Sequence, residues 1–214
     1  MNRTAAFWDK IAPKYAKSPV TDQASYDYTL GRTRSYLQAT DRVLELGCGT
    51  GSTALLLAPA VTHILATDIS GAMIEIARDK AREANIANIT FARTDDATPE
   101  PPYDVIMAFN LFHLLDDMQQ TFAQTHAQLK PGGYFISKTP CLRQLNRNPK
   151  SWLILVMVKL VIPLMRLFGK APAVRVFPIR QLEDAITRAG FEIIESSNHP
   201  KGPPPARYIV ARKR

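Results

Sequence analysis

The 214-residue sequence predicts a single domain of the α/β class. Short apolar runs typical of buried strands alternate with helical stretches along most of the chain. The first apolar run, 43–46, ends directly in three glycines at alternate positions, after which a helical stretch begins. The chain is 46% hydrophobic and 21% charged, which suits one folded core and leaves little length for a second domain.

The glycine-rich turn carries the first functional indication. Gly47, Gly49 and Gly51 form the pattern G-x-G-x-G, and Glu45 stands two residues before it. Glycine lacks a Cβ atom and tolerates positive φ, so such a turn lets the backbone approach a nucleotide-like ligand closely. A dinucleotide fingerprint would have its third glycine at Ser52, and no Lys-Ser/Thr pair follows, which disfavours a phosphate-binding P-loop.

The second predicted strand, 63–67, ends at an acidic residue. Asp68 follows Gly51 by 17 residues, close to the spacing at which an acid binds ribose hydroxyls in nucleotide-binding βαβ units. A carboxylate suits this role because it accepts hydrogen bonds from two neighbouring hydroxyls. A helix is predicted at 72–84, and Ser70 is a better N-cap for it than Asp68.

The other predicted elements follow the same alternation, with helices before and between the strands. In chain order they are two helical pieces in 1–40, the first kinked or broken at Pro13, strands at 89–93 and 103–109, helix 117–129, strand 134–138, helix 178–190, and strands 191–197 and 207–212, which form a hairpin.

Three motifs together resemble the class I S-adenosylmethionine-dependent methyltransferases. Residues 43–51 resemble their motif I, and Leu-Lys-Pro-Gly-Gly at 129–133 resembles the turn before their fifth strand. Phe-Trp-Asp-x-Ile-Ala-x-x-Tyr at 7–15 resembles the N-terminal segment of the ubiquinone/menaquinone-biosynthesis type. The resemblance covers 7–140 by motifs and 178–212 by topology.

This resemblance implies a Rossmann-like doubly wound sheet of about seven strands that ends in a C-terminal antiparallel hairpin. Four parts of one domain are expected in chain order: an N-terminal helical cover at 1–40, a cofactor-binding core at 41–140, an apolar, basic helical cap insertion at 141–177, and the C-terminal helix and hairpin at 178–214.

The resemblance also implies S-adenosyl-L-methionine as cofactor and S-adenosyl-L-homocysteine as product. In the family, the carboxylate of an Asp-Ala pair accepts the adenine amino group, and here Asp95 stands before that pair where glycine is usual, so either aspartate could serve. No metal is expected, because no cluster has metal-ligand spacing. The cofactor-binding candidates are Glu45, Gly47, Cys48, Gly49, Thr50, Gly51, Asp68, Ile69, Met73, Asp95, Asp96, Ala97 and Asn110.

Two residues are candidates for catalysis. His113 follows the fourth strand on the ligand side of the sheet, where it could act as a general base, and its alternative roles are packing or cofactor contact. Tyr15 matches the tyrosine that the family places near its site, and its alternative is an amphipathic helix covering one sheet edge.

The stretch 151–168 is nearly continuous apolar sequence where the family carries its substrate cap. It is shorter than the roughly 20 apolar residues of a membrane-spanning helix and contains Lys159, Pro163 and Arg166. Residues 138–182 contain nine basic and no acidic residues, and the net charge is −3 for 1–137 and +11 for 138–214. An interfacial helix on an anionic membrane, a lid over a hydrophobic pocket, and a core or dimer contact all remain open.

The predicted function is methyl transfer to a small hydrophobic or lipid-like acceptor, in one version at an anionic membrane surface. The alternatives are a soluble metabolite as acceptor and a non-catalytic protein of the same fold. A nucleic-acid substrate is not expected, because Asn-Leu-Phe-His follows strand 103–109 instead of Asn/Asp-Pro-Pro-Tyr. A cytoplasmic location, with peripheral contact to the inner membrane face in the membrane version, is expected from only two cysteines and the lack of an apolar leader core.

Overall fold

A computed structural model describes residues 3–141, 156–167, 171–172, 174–175, 177–198 and 206–214. Within these ranges the strands form one seven-stranded sheet in the order β3-β2-β1-β4-β5-β7-β6. The strands are β1 (Arg42–Leu46), β2 (His63–Asp68), β3 (Ile89–Arg93), β4 (Tyr103–Phe109), β5 (Leu129–Pro140), β6 (Phe191–Asn198) and β7 (Ala206–Lys213).

The pairing of the strands confirms the predicted doubly wound α/β architecture. Strands β1 to β5 are mutually parallel, whereas β7 pairs antiparallel with both β5 and β6. The strand order reverses at β1, which lies between β2 and β4. Open α/β sheets bind their ligands outside the carboxyl ends of the strands at such a reversal, so the fold itself points to this crevice.

Helices cover both faces of the sheet. They are α1 (Arg3–Ala16), α2 (Gln23–Arg34), α3 (Ser52–Leu57), α4 (Gly71–Glu83), α5 (Met118–Gln128), α6 (Ile162–Leu167) and α7 (Ile179–Arg188). One core joins α3 and α4 to the face of the sheet that carries Ile64 and Phe91. The second core joins α5 and α7 to the face that carries Phe135 and Ile209. Both faces of the central strands are buried, which explains their continuous apolar sequence.

The first helix differs from the expectation that Pro13 would kink or break it. Helix α1 continues from Arg3 to Ala16 with Pro13 inside. Proline removes one backbone hydrogen bond, but it lies only three residues from the end of the helix. Packing of α1 against α4 opposes that loss, because Asp9 of α1 accepts hydrogen bonds at the start of α4.

The Leu-Lys-Pro-Gly-Gly sequence also differs in detail from its prediction. Helix α5 ends at Gln128, one residue before its predicted end, and the turn belongs to β5 instead of preceding it. Leu129 pairs with Tyr103, Tyr134 pairs with Val105, and the register shifts between these two pairs. Gly132 has a φ of +77° within the resulting bulge. The turn therefore interrupts strand pairing without ending it.

The cap insertion is described only in part. Residues Met157–Val161 form a π-helical segment that continues into α6, in agreement with the predicted helical cap. Residues 142–155 and 168–170, the side chains of Lys159 and Arg166, and the loop 199–205 lie outside the description. Among the helices that are described, none has the length and apolar character needed to cross a membrane.

Candidate functional site

A cavity of about 970 Å³ lies at the carboxyl ends of β1, β2 and β4, beneath residues of α1 and α2. This volume falls within the roughly 300–1,000 Å³ typical of small-molecule sites. The cavity brings together eleven of the residues singled out from the sequence. They are Tyr15, Glu45, Gly47, Cys48, Gly49, Thr50, Asp68, Ile69, Met73, Ala97 and Asn110.

The glycines of the turn have two different tasks. All three have positive φ, with values of +70° at Gly47, +54° at Gly49 and +75° at Gly51. A Cβ atom on Gly49 would meet only a ring carbon of Tyr15, 4.0 Å away, so this residue leaves open space in the cavity. A Cβ atom on Gly51 would lie 2.8 Å from both Ala77 and Phe91. Gly51, which does not line the cavity, is therefore required for packing.

Asp68 is held in a fixed orientation at the end of β2. Its Oδ2 atom accepts a hydrogen bond from the Gly49 N–H, and its Oδ1 atom accepts one from the Ser70 N–H, both at 2.9 Å. Burial raises the pKa of Asp68, and these backbone donors oppose that rise. The carboxylate retains lone pairs that can accept ligand hydroxyls. The Ser70 hydroxyl accepts the Met73 N–H at 3.1 Å, which confirms Ser70 as the N-cap of α4.

Glu45 is the most unusual acid of the cavity. It is only 2% exposed, and its Oε2 atom has no hydrogen-bond partner among the residues that the structure describes. Burial, together with the negative charge of Asp68, raises the pKa of Glu45 to about 8. A buried carboxyl oxygen without a partner is costly, and a cationic or hydrogen-bond-donating ligand in the cavity would relieve that cost.

The first helix forms one wall of the cavity because it is anchored to α4. Asp9 accepts a hydrogen bond from the Ser70 hydroxyl at 2.6 Å and another from the Ala72 N–H at 3.1 Å. This contact places Trp8 and Tyr15 at the cavity. Burial and the nearby Asp68 raise the pKa of Tyr15, so its hydroxyl is protonated at neutral pH.

Asn110 closes the end of β4 in a left-handed conformation, with a φ of +56°. Asparagine tolerates this conformation better than most residues. Its N–H donates to the Lys138 carbonyl oxygen at 2.7 Å, which ties the end of β4 to the end of β5. The loop after it packs against the glycine turn, because a Cβ atom on Gly47 would lie 2.9 Å from the Leu111 side chain.

The structure does not bring the two neighbouring aspartates to the cavity wall. The side chains of Asp95 and Asp96 are 70% and 67% exposed, and each forms an ion pair with Arg93, at 3.4 Å and 3.9 Å. Both carboxylates are therefore solvated. Of the three cofactor-binding candidates in this segment, Asp95, Asp96 and Ala97, Ala97 lines the cavity and the two aspartates do not. Adenine binding by either aspartate stays a prediction.

His113 does not line the cavity either. It lies in a short 3₁₀ turn, Phe112–Leu114, with its Nδ1 atom buried and without a hydrogen-bond partner in the described part of the chain. Its carbonyl oxygen accepts the Arg175 N–H at 2.7 Å. Burial lowers the pKa of His113 to about 4, so the imidazole is neutral and weakly basic at neutral pH. Its predicted role as a general base stays a prediction.

Sequence reasoning missed several polar residues that line the cavity. Lys138 was assigned only to the end of a strand, yet its position at the carboxyl end of β5 could have indicated it. The side chains on one face of α5 were missed as well, although their spacing is helical. These additional lining residues include Trp8, Tyr26, Thr29, Thr121, Gln124, Thr125, Gln128 and Lys138.

Comparison with known protein families gives a match over most of the chain. The profile of a family described as "Methyltransferase domain" matches residues 21–196. A ubiquinone biosynthesis O-methyltransferase of Acinetobacter baylyi is 28% identical over 122 residues, which cover 55% of this chain and 49% of that protein. The chain thus spans about half the length of this relative. A demethylmenaquinone methyltransferase of Bacteroides fragilis is 24% identical, with 88% and 84% covered.

Comparison with solved structures supports the fold. The structure of the [4+2]-cyclase SpnF aligns with a TM-score of 0.75 at 18% identity and covers 98% of this chain and 94% of its own. At this identity the likeness concerns architecture alone.

Proposed function

The chain belongs to the methyltransferase-domain family, and from that premise we propose that it transfers a methyl group from S-adenosyl-L-methionine to a small hydrophobic or lipid-like acceptor. The observation that carries the proposal is the joint presence, in one cavity, of an open glycine, a fixed carboxylate and an unpaired buried carboxyl group, which are Gly49, Asp68 and Glu45. S-adenosyl-L-homocysteine is the other product.

The residues of the cavity fit this cofactor. Gly49 leaves room for a ligand against the backbone, and Asp68 can accept hydrogen bonds from ribose hydroxyls. Glu45 offers an unpaired oxygen to a cation, and the cofactor carries both an ammonium and a sulfonium group. When bound, the cofactor supplies an electrophilic methyl group, so the protein must mainly align the acceptor and exclude water.

The apolar part of the cavity supports a hydrophobic acceptor. Leucine side chains from the loop after β4 line it, together with apolar residues of α2 and of the segment before α2. These residues are Val20, Leu30, Leu111, Leu114 and Leu115. The relatives named as acting in ubiquinone biosynthesis and on demethylmenaquinone favour a quinol-like ring as acceptor. A soluble small metabolite is the alternative.

An anionic membrane surface is part of the same proposal. Leu160 and Leu164 are 72% and 58% exposed, and Met157 is 44% exposed, which makes an apolar stripe at helical spacing. The surrounding sequence, 138–182, contains nine basic residues and no acidic one. Exposed apolar residues within a basic segment suit an element that lies in the headgroup region of an anionic bilayer.

Isothermal titration with both S-adenosyl compounds tests the cofactor site. We expect micromolar binding to the wild-type protein and at least about a tenfold loss in Asp68→Ala, because two ribose hydroxyls lose a charged acceptor. Asp79→Ala is the matched control, since this carboxylate is 57% exposed on α4 and does not line the cavity. Equal affinity for all three proteins, or no binding at all, would contradict the proposed site.

Transfer of a labelled methyl group to hydroquinones and catechols tests the reaction itself. One protein of similar fold is a cyclase, so a non-methylating activity is the second candidate. Cofactor binding without transfer to any acceptor in the presence or absence of lipid vesicles would favour that candidate. Transfer to a water-soluble acceptor, unchanged by vesicles, would favour the soluble-metabolite alternative.

A further inference from the structure

Lys138 provides a positive charge inside the cavity on the side opposite the acids. Among the lining residues that the structure describes, it is the one lysine or arginine. Glu45 and Asp68 lie at the ends of β1 and β2, whereas Lys138 lies at the end of β5, which β4 separates from β1. The cavity therefore has an acidic and a basic side.

The Lys138 ammonium group is oriented by neutral partners. Its Nζ atom donates to Ser25 Oγ at 2.8 Å, Thr29 Oγ1 at 3.0 Å and the Ser25 carbonyl oxygen at 3.2 Å. The Asp22 carboxylate acts on it only through its charge and is itself the exposed N-cap of α2. Burial lowers the pKa of Lys138, and among the described residues no carboxylate contacts its ammonium group to neutralise the charge. Hydroxyls fix the position of the charge without cancelling it.

The opposite charges of the two sides of the cavity favour the cofactor on the acidic side and the acceptor on the basic side. A cationic cofactor is favoured near Glu45 and Asp68 and disfavoured near Lys138. The Lys138 backbone is bound to the end of β4 through Asn110, and its side chain reaches Ser25 and Thr29 of α2. Helix α2 also contributes Leu30 to the apolar lining assigned to the acceptor, and the loop after Asn110 contributes Leu111 and Leu114. The elements that hold Lys138 thus also carry that lining.

Building on the proposed function, we infer that Lys138 selects an acceptor that reacts as an oxyanion, the phenolate or enolate of a hydroxylated ring. The positive charge of the ammonium group attracts the acceptor oxygen, and the N–H that now donates to the Ser25 carbonyl oxygen at 3.2 Å, the longest of its three hydrogen bonds, turns to that oxygen. The ammonium group keeps its proton. The acceptor loses its proton to solvent before transfer. Its oxygen, or the conjugated ring carbon, then forms a bond to the methyl carbon as the sulfur–carbon bond breaks, and the bonding pair returns to sulfur.

The ionisation of 4-nitrophenol reports on this role, because its phenolate has a distinct visible absorption band. The probe is titrated into protein saturated with S-adenosyl-L-homocysteine, near the pKa of free 4-nitrophenol. We expect the wild-type protein to bind the phenolate in preference and to lower the apparent pKa of the bound probe. In Lys138→Met we expect phenolate affinity to fall about 10- to 100-fold, as when a hydrogen bond between charged groups is lost.

Two variants separate charge from structure. Lys138→Arg should keep most of the phenolate preference because it keeps the charge. Lys80→Met is the matched control, since Lys80 likewise donates to hydroxyls, Thr50 Oγ1 at 3.0 Å and Ser52 Oγ at 3.3 Å, but does not line the cavity. It should leave phenolate binding unchanged. If Lys138→Met does not fold, Lys138→Gln replaces it, because glutamine also removes the charge, and its phenolate affinity is compared with that of the wild-type protein in the same way.

The outcomes distinguish this inference from the function on which it rests. Absence of S-adenosyl-L-homocysteine binding, measured first by calorimetry, overturns the proposed function. If that ligand binds but the wild-type protein shows no phenolate preference, or Lys138→Met retains it, or Lys80→Met loses it equally, only the role of Lys138 is overturned. Failure of both forms of the probe to bind counts against it as well.

Discussion

At the scale of single residues, Glu45 couples proton binding to ligand binding. With a pKa of about 8, the carboxyl group is mostly protonated at neutral pH in the free protein. A cation bound beside it would stabilise the ionised form and lower that pKa. The sign of the linkage follows: ligand binding at neutral pH must release a proton from this group.

We predict that binding of S-adenosyl-L-methionine at pH 7 releases up to one proton per protein. Calorimetry in two buffers of different ionisation enthalpy measures this release. Glu45→Gln should abolish most of it and weaken binding about tenfold, because the neutral amide attracts a cation less strongly. A buffer-independent enthalpy for the wild-type protein would mean that Glu45 does not face the cation.

The lowered pKa of His113 makes the stability of the folded protein depend on pH. Burial lowers its pKa to about 4 in the folded protein from an ordinary value of 6.5, so the unfolded chain binds more protons between these values. The free energy of unfolding must therefore fall as the pH drops from about 6.5 towards 4. Glu45 acts against this trend, because its raised pKa makes the folded protein bind more protons between about 4.5 and 8.

A comparison with His113→Phe isolates the histidine contribution. Between pH 7 and 4.5, we expect the wild-type protein to lose about 2 kcal/mol of unfolding free energy relative to the variant. Urea denaturation at several pH values measures the difference. The two proteins should also bind S-adenosyl-L-methionine equally well, since His113 does not line the cavity. A pH-independent difference would indicate that His113 is solvated.

At the scale of elements, the glycine turn combines ligand access with packing between β3 and α4. Gly51 and Gly132 both have φ near +75°, so alanine strains the backbone by about 1 kcal/mol at either position. Only at Gly51 does the new methyl group also overlap Ala77 and Phe91. At Gly132, nothing in the described part of the chain lies within 4 Å of the added atom.

We therefore predict that Gly51→Ala costs about 2 kcal/mol more than Gly132→Ala in denaturant unfolding, in line with the penalty for overpacking a core. The difference between the two variants removes the shared backbone strain. Equal losses would show that α4 can shift away from the turn without cost. Gly132→Ala should not change affinity for the cofactor, because the bulge in β5 lies outside the lining of the cavity.

The elements were predictable because their signals are local. Alternating apolar runs and the cap at Ser70 gave strands and helices to within a few residues. Pro13 misled because its effect depends on the packing of α1 against α4, a contact distant in sequence. The bulge after Leu129 was hidden because a turn and a strand irregularity need the same glycines.

Site residues could be predicted where a sequence motif fixes the backbone conformation. They were harder to predict where the direction of a side chain decides whether it lines the cavity. The spacing of the residues predicts that the glycine turn and Asp68 belong to the site. Asp68, Gly47 and Gly49 do line the cavity, whereas Gly51 does not. Asp95 and Asp96 could not be placed, because their contact with Arg93 depends on how the loop folds back. Lys138 stands at the carboxyl end of β5, where ligands are expected, but the direction of its side chain depends on the packing of α2 over β5.

At the scale of the whole molecule, charge and apolar exposure are concentrated in the C-terminal part. Residues 1–137 are nearly neutral at −3, and residues 138–214 carry +11. The same part contains the exposed stripe Met157, Leu160 and Leu164. Net positive charge attracts the protein to an anionic surface over a Debye length of about 10 Å, and inserted apolar side chains then retain it there.

This joint contribution gives a prediction for vesicle binding. We expect the wild-type protein to co-sediment with vesicles of anionic phospholipid, and to do so less as salt is raised, because ionic strength screens the electrostatic attraction. The double variant Leu160→Gln/Leu164→Gln should bind at least about tenfold more weakly at every salt concentration, since each buried leucine contributes roughly 1.5–3 kcal/mol. Leu56→Gln is the matched control, because Leu56 is 50% exposed on α3 and belongs to the near-neutral part.

Cofactor affinity in solution must be the same for all three proteins, so that a loss of vesicle binding cannot be attributed to misfolding. If Leu56→Gln weakens vesicle binding as much as the double variant does, the contact is not specific to the stripe. If neither variant matters while salt still releases the protein, the basic charge alone holds it at the surface. Residues 156–167 would then be assigned to a lid or to a contact between copies of the chain.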